Sequence, residues 1–255
     1  MDKRKWGFLF SGWVLWAAVM MAQPAYAARL HIFVGAGLRQ PVDQLVHAFE
    51  AQTGHQVVVD YGGSGQLLAK INVAASGDLF IPGALFYIEK LEKAGKIRSY
   101  RPIVAHTPVI GVNVSQTARI QSFDDLTTPG VRLAMGDPKA MAFGRTAMAI
   151  CEQSGKKADI LKNVTVYGAT VKQLAMYVSQ GAVDAAIIGR ADAFQNRDKI
   201  SIVDIPKAYL KSETIAAAVL RSAADPALAG RLCDFFSSRE AIAVFMQHGF
   251  LPLSE

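Results

Sequence analysis

The sequence is poor in features that mark several common protein classes. Its 255 residues include only two cysteines, Cys151 and Cys233, and two isolated cysteines make no metal-binding motif. They could pair with each other or remain buried free thiols, and both alternatives stay open. No run is rich in lysine and arginine, which argues against nucleic acid as a partner. No period of roughly 20 to 50 residues repeats, which excludes a solenoid.

Several catalytic and nucleotide-binding motifs are also absent. The Walker A pattern does not occur, so any ATP hydrolysis would belong to a partner protein. The turn Gly35–Gln40 ends in glutamine where a dinucleotide fingerprint needs its third glycine. A nucleophile elbow read from Gly62 fails at Gln66, where a glycine is required. We therefore expect no enzyme, with an exported hydrolase using Ser64 as nucleophile kept as an alternative.

Long apolar runs are confined to the start of the chain. The segment 1–27 combines the charged residues Asp2–Lys5, the largely apolar stretch Trp6–Ala22 and the small-residue pattern Ala25–Ala27. This arrangement is typical of a signal peptide cleaved before Ala28, and it predicts export to a bacterial periplasm. An uncleaved membrane anchor is the alternative. No later segment approaches about eighteen consecutive apolar residues, so we expect no membrane span in the rest of the chain.

The composition allows a sizeable core and a small anionic ligand. The chain is 51% hydrophobic and 19% charged, and its length suits one large domain or two small ones. The formal charge is +6. The segment Asp2–Lys5 carries a net +2 of this, which leaves about +4 on the rest. Such a mild positive excess suits an anionic small molecule.

A glycine-rich corner around Ser64 carries the main functional signal. The β-branched run Gln56–Asp60 predicts a buried strand. Apolar residues then recur at helical spacing: Leu67, Leu68, Ile71 and Ala75. Ser64 thus lies on a strand-to-helix turn, where free amides and the helix dipole favour an anion. The alternative is that Ser64 only caps the helix and the glycines only form a tight turn.

Strands and helices alternate on both sides of this corner. Strands are predicted at Leu30–Val34 and Gly77–Ile81, with helices at Val42–Phe49 and Ala84–Ala94. This β-α order indicates a parallel sheet covered on both faces. A second α/β series starts at Val131, with strands to Ile188 and Thr170 as a helix N-cap.

Two extended passages separate the two series. They run over Pro102–Val112 and from Ile200 to Val219, and such segments can cross between two lobes. Helices predicted at Pro226–Phe236 and Glu240–His248 close the chain. We predict one lobe from residues 28–106 plus 213–255 and the other from 107–212. A cleft between lobes is a usual place for a small ligand.

Taken in order, these stretches resemble the periplasmic molybdate/tungstate-binding proteins of ABC importers, within the type II periplasmic binding protein superfamily. The resemblance rests on the following stretches: Ile32–Leu38, Gly63–Gly65, Gly77–Ile81, Leu133–Pro138 and His248–Phe250. It implies an α/β fold with two lobes, each a mainly parallel sheet flanked by helices, joined by two crossover segments. It also implies a periplasmic substrate-binding monomer that captures a molybdate- or tungstate-like oxyanion without a further cofactor. Its partners would be an inner-membrane permease and that permease's ATPase.

The resemblance implies a site made largely of backbone amides. Ser64 would give its hydroxyl and amide to the oxyanion, and Phe143 and Val171 would present helix-start amides. Gly37 stands where relatives have a second serine, so only its amide remains. A metal would be bound only as its oxyanion, through Ser64, Gly37 and Val171. The full expected ligand-binding set is Ala36, Gly37, Arg39, Ser64, Gly65, Phe143, Val171 and Arg190.

Three arginines leave a second ligand class open. Arg39, Arg145 and Arg190 stand close to turns expected to face the ligand. Arginine forks suit carboxylates and phosphate esters, so a larger organic anion is an alternative ligand. The tyrosine that many relatives have near Ile188 or Gly189 is missing here. The isolated His106 is expected to be an ordinary strand histidine.

Overall fold

The computed structural model of the protein describes residues 27–74 and 76–253. The predicted signal peptide, apart from Ala27, lies outside the described residues, and so does Ala75. The strands of the described part are β1 (Arg29–Gly35), β2 (Gln56–Gly62), β3 (Leu79–Ile81), β4 (Ile97–His106), β5 (Pro108–Asn113), β6 (Leu133–Gly136), β7 (Val164–Gly168), β8 (Ala185–Gly189), β9 (Ile200–Val203) and β10 (Glu213–Leu220). Its α-helices are α1 (Arg39–Thr53), α2 (Ser64–Ala74), α3 (Leu85–Lys93), α4 (Ala142–Gln153), α5 (Lys157–Lys162), α6 (Val171–Ser179), α7 (Arg190–Gln195), α8 (Pro226–Phe236) and α9 (Arg239–Gln247).

The strands form two five-stranded sheets with the same internal pattern. The first has the order β2-β1-β3-β10-β4 and the second the order β7-β6-β8-β5-β9. In each sheet three neighbouring strands are parallel. The fourth strand in each order, β10 or β5, runs antiparallel to both of its neighbours. Both sheets are therefore mixed, with one reversed strand in a mainly parallel arrangement. We call the first sheet and its helices lobe 1, and the second lobe 2.

Helices cover both faces of each sheet, which explains the uninterrupted apolar runs in the strands. Along β1, Ile32 and Val34 join a core with helices α1, α8 and α9. Phe33, between them, points into the opposite core with α2 and α3. In lobe 2, Leu133 likewise packs with α4 and α5, whereas Ala134 packs with α6. The two-residue period of a strand thus distributes alternate side chains between two cores.

The lobes are joined by two neighbouring connections. Strand β4 ends at His106 in the first sheet, and β5 begins at Pro108 in the second. The return path leads from β9 to β10, and Ser212 Oγ lies 3.2 Å from Thr107 Oγ1 of the outward path. Each predicted extended passage thus contributes one strand to each sheet, and the chain crosses between the lobes at Thr107 and over residues 204–212.

The C-terminal segment completes lobe 1. The amide of Ala105 donates to the carbonyl of Leu251 at 2.8 Å. Helices α8 and α9 contribute Phe236 and Phe245 to the core around β1.

Helix α4 begins at Ala142, so Phe143 lies in its first turn, as the resemblance implied. The six-residue helices α5 and α7 were not expected, because such short segments carry too few apolar repeats to show a helical period.

The cysteines remain free and buried, with Cys151 in lobe 2 and Cys233 in lobe 1. Burial raises the pKa of each thiol to about 11. Thiols with so high a pKa are protonated and unreactive at neutral pH.

Candidate functional site

A small pocket lies between the two lobes, at the carboxyl ends of strands from both sheets. The space between its lining atoms, including the part that opens to solvent, is about 260 Å³. The lining residues are Ala36, Gly62, Gly63, Ser64, Gly83, His106, Met141, Ala142, Phe143, Thr170 and Val171. Four expected site residues, Ala36, Ser64, Phe143 and Val171, are therefore brought together here from distant parts of the chain.

Helix N-termini from both lobes meet at this pocket. Helix α2 begins at Ser64 in lobe 1, while α4 and α6 begin at Ala142 and Val171 in lobe 2. The first amides of a helix have no acceptor within the helix. No side chain caps the start of α4. In α6 the Thr170 side chain caps only the Gln173 amide, at 3.2 Å. The arrangement supplies amide donors and positive helix ends to one small volume.

The hydroxyl of Ser64 adds a donor to these amides. Ser64 is buried, and its Oγ accepts a hydrogen bond of 3.0 Å from the Gly83 amide. Because that bond uses a lone pair of Oγ, the hydroxyl hydrogen is left to donate. The contact also orients Oγ, since Gly83 belongs to the loop after β3, on the pocket wall.

Gly65 lies where the backbones of the two lobes touch. Its amide donates to the carbonyl of Ala140, 2.9 Å away in lobe 2, and Gly65 does not line the pocket. A Cβ at position 65 would lie 2.3 Å from the Lys139 carbonyl oxygen. A Cβ at Gly63 would lie 2.5 Å from the Ala140 carbonyl oxygen. The glycines at this turn therefore allow the backbones of the two lobes to touch.

Gly37 also lies where the lobes meet. It is buried beside the pocket-lining residues Ala36 and Val171. A Cβ built at position 37 would come within 2.6 Å of Val171 Cγ2. A larger residue here would force Val171 to move, so glycine at 37 and valine at 171 are sterically matched across the pocket.

The arginines lie outside the pocket. Arg39 is exposed, with its guanidinium carbon 3.9 Å from the centre of the Tyr61 ring. Arg190 faces Asp204 at 3.8 Å, and Arg145 lies over Phe86 at 3.3 Å. Arg39 and Arg190 thus do not line this pocket, and their contact with a ligand stays a prediction. Among the described residues that line the pocket, none carries a cationic side chain at neutral pH.

His106 is the main pocket residue that the sequence reasoning missed. It lines the pocket with only 3% of its surface exposed. Its Nδ1 lies 3.2 Å from the Gly83 carbonyl, and its ring lies 4.1 Å from the ring of Phe143. Burial lowers the pKa of His106 to about 4, so the ring is neutral at pH 7. The available sequence signal for a pocket position of His106 was its place at the end of β4, just before the chain crosses to lobe 2.

A buried carboxylate accompanies His106 beside the pocket. Asp192, on α7, is fully buried. Lys172 Nζ lies 3.2 Å from Asp192 Oδ1 and forms an ion pair with it. Burial raises the pKa of Asp192, and the Lys172 charge opposes that rise. Both His106 and Asp192 border Gly189, near which the resemblance implied a tyrosine hydroxyl.

The arrangement is suited to holding an anion. No group of three or more histidine, cysteine or acidic side chains that could hold a metal ion occurs among the residues described. A small oxyanion can be held by neutral amides and a hydroxyl, because oriented dipoles supply the field.

Within the same ranges, 27–74 and 76–253, no helix has the length and apolar character needed to cross a membrane.

Comparisons with known proteins define the class. The chain matches the family described as bacterial extracellular solute-binding protein over residues 30–251. A Haemophilus influenzae protein named only as a binding protein is 41% identical, covering 89% of this chain and 92% of that one. The molybdate-binding protein ModA of Mycobacterium bovis is 26% identical, over 90% and 87% of the two chains. The structure of an Azotobacter vinelandii periplasmic molybdate-binding protein has a TM-score of 0.78 at 22% identity, covering 88% of this chain and 100% of that one.

The protein therefore belongs to the bacterial extracellular solute-binding proteins, and its fold is the two-lobed fold of the ModA-like periplasmic binding proteins. Proteins of this kind bind small ligands and serve ABC transporters, working with a permease and an ATPase. Family and fold are those of solute-binding proteins and not of enzymes. The expected hydrolase alternative with Ser64 as nucleophile is thereby set aside.

Proposed function

We propose that this protein captures a small tetrahedral oxyanion between its lobes and delivers it to an ABC importer in the inner membrane. The observation that supports the proposal most strongly is the meeting of helix N-termini and the Ser64 hydroxyl at one pocket. Molybdate and tungstate are the first candidate ligands. Relatives at 22–26% identity are named as molybdate-binding proteins, which supports testing these two anions first.

The mechanism follows from the two-lobed architecture. The lobes, taken as residues 28–106 plus 213–255 and residues 107–212, would hinge at the neighbouring connections around Thr107 and Ser212. Closure would bring the amides of Phe143 and Val171 against an anion already held by Ser64. The permease would then bind the closed receptor and release the anion by separating the lobes.

The pocket favours a small oxyanion over a larger organic anion. The described lining residues include no lysine or arginine, so the pocket offers no guanidinium fork to a carboxylate or phosphate ester. The organic-anion alternative would require Arg39 or Arg190 to swing towards the ligand.

A thermal-shift screen tests this proposal on the mature protein. Molybdate, tungstate, sulfate and phosphate should be compared with phosphoglycerate and citrate at equal concentration. A ligand present at a hundredfold excess over its Kd should stabilise the fold by about 2.7 kcal/mol. At least one tetrahedral oxyanion should raise the Tm. Stabilisation by the organic anions alone, or by no anion, would contradict the proposal.

A further inference from the structure

The hydrogen-bonding roles of His106 are determined by its surroundings. Its Nδ1 lies 3.2 Å from the Gly83 carbonyl oxygen, which can only accept. In the neutral ring Nδ1 therefore carries the hydrogen, and Nε2 presents a lone pair. Packing against Phe143, with ring centres 4.1 Å apart, holds the imidazole in this orientation.

The Nε2 atom has no hydrogen-bond partner within the part of the chain that the structure describes. A buried acceptor left without a donor is destabilising. Because His106 lines the pocket, its unpartnered Nε2 indicates that a hydrogen-bond donor is expected there.

His106 Nε2 and the Asp192 carboxylate both lie close to Gly189. A Cβ built on Gly189 would lie 2.5 Å from His106 Nε2 and 2.8 Å from Asp192 Oδ2. A side chain at position 189 would therefore collide with both groups. The charged groups that face His106 are Asp192 from α7 and Lys172 from α6. Lys172 lies 3.2 Å from Asp192 and offsets its charge, but it does not donate to Nε2.

We infer that His106 is a specificity-determining residue whose Nε2 accepts a hydrogen bond from a hydroxyl of the bound oxyanion. The inference rests on the proposed function, and it specifies the ligand class further. The pocket should prefer a tetrahedral oxyanion that still carries one proton near neutral pH, of the hydrogen phosphate or hydrogen arsenate type. Fully deprotonated oxyanions such as molybdate, tungstate and sulfate would place a bare oxygen against the Nε2 lone pair.

The alternative is that the imidazole takes up a proton and donates to a bare oxyanion. Two features oppose it. Burial disfavours a charged ring at this position and lowers the pKa of His106. The nearby Lys172 charge lowers it further. A ligand that brings its own proton avoids both costs.

Isothermal titration calorimetry on the mature protein at about pH 7.5 tests the inference with phosphate, arsenate, molybdate, tungstate and sulfate. Phosphate or arsenate should bind about ten- to a hundredfold more tightly than the three deprotonated anions. His106→Phe keeps the ring packing but lacks the acceptor, so it should abolish this preference. His47→Phe is the matched control, because the His47 side chain is 82% exposed, and it should keep the preference.

A second measurement on the wild-type complex does not depend on any variant folding. The nitrogen-15 chemical shifts of the imidazole should show a neutral ring with hydrogen on Nδ1 when phosphate is bound. An imidazolium, or a hydrogen on Nε2, would overturn the inference. Equal or tighter binding of molybdate or sulfate would also overturn it while leaving the proposed function intact. Binding of no tetrahedral oxyanion would overturn both.

Discussion

The amide of Gly65 in lobe 1 donates to the carbonyl of Ala140 in lobe 2 across 2.9 Å. This bond ties the turn that carries Ser64 to the loop that leads into α4. It exists only when the lobes are together, so it belongs to the closed arrangement. A glycine is needed at position 65 because a Cβ there would lie 2.3 Å from the Lys139 carbonyl oxygen.

Replacing Gly65 with alanine should weaken ligand binding without weakening the fold. The added Cβ clashes only with the opposite lobe, and such overpacking costs about 1 to 3 kcal/mol. We expect about ten- to a hundredfold weaker affinity for the best oxyanion, measured by calorimetry. Within α2 an alanine favours the helix, so the Tm of the ligand-free protein should stay the same or rise.

Gly230→Ala is the matched control for that variant. A Cβ at Gly230, also in a helix of lobe 1, would meet no atom within 4 Å. It should leave affinity unchanged. Equal affinities for Gly65→Ala and Gly230→Ala would show that the contact between Gly65 and Ala140 is not part of the bound state.

Removing the hydroxyl of Ser64 should reduce anion affinity. Ser64→Ala deletes one buried donor and should weaken binding about ten- to a hundredfold. The measurement is titration calorimetry with the best oxyanion of the screen. Ser237→Ala, which removes an exposed hydroxyl bonded only to the Asp234 carbonyl among the described residues, serves as control. Unchanged affinity in Ser64→Ala would mean that the serine only organises the loop through Gly83.

The two arginines should be dispensable for binding. Arg39 lies over Tyr61, and Arg190 faces Asp204 at 3.8 Å. Arg39→Ala and Arg190→Ala should each change the Kd by no more than about twofold, because exposed charges outside the pocket contribute little. A loss above tenfold in either variant would show that the arginine reaches the ligand, and it would restore the organic-anion alternative.

His106 should make the fold sensitive to mild acid. Burial lowers its pKa to about 4 in the folded state, compared with about 6.5 in an unfolded chain. The unfolded state therefore binds the proton first as the pH falls. Stability is unaffected by this residue above about pH 6.5 and declines towards pH 4, by about 3 kcal/mol in total.

Urea unfolding of wild-type protein and His106→Phe between about pH 7 and pH 4 measures this contribution. The wild type should lose more stability over that window than the variant. His248, whose pKa is also lowered by burial, is present in both proteins and cancels in the difference. His106→Gln provides a second comparison should the phenylalanine variant not fold. Parallel losses in wild type and variants would contradict the assignment of this titration to His106.

Much of the fold could be predicted because its signals are local. A β-branched run, a glycine-bearing turn and a helical apolar period follow one another along the chain, and each depends on neighbouring residues only. This order places Ser64 and Val171 at strand-to-helix corners. Such corners collect at the carboxyl ends of parallel strands, so Ser64 could be predicted to bind an anion from the pattern alone. Val171 was assigned to the site through the resemblance to the molybdate/tungstate-binding proteins.

The remaining features depend on how the two lobes pack together. The sequence shows free amides at the Ser64 turn but not that Ala140, 75 residues away from Gly65, takes one of them. It shows arginines near the ligand-facing turns, but not that Arg39 turns onto Tyr61. The sequence also gives no reason to expect that His106 and Asp192 lie close together.

The sequence by itself therefore determined the class of fold and the anion-binding corners, since both follow from short-range pattern. The tertiary structure decided which amides stay free, which charges lie outside the pocket and which buried residues line it. Those outcomes depend on distances between segments that only the packing of the two lobes sets, and no local pattern encodes them.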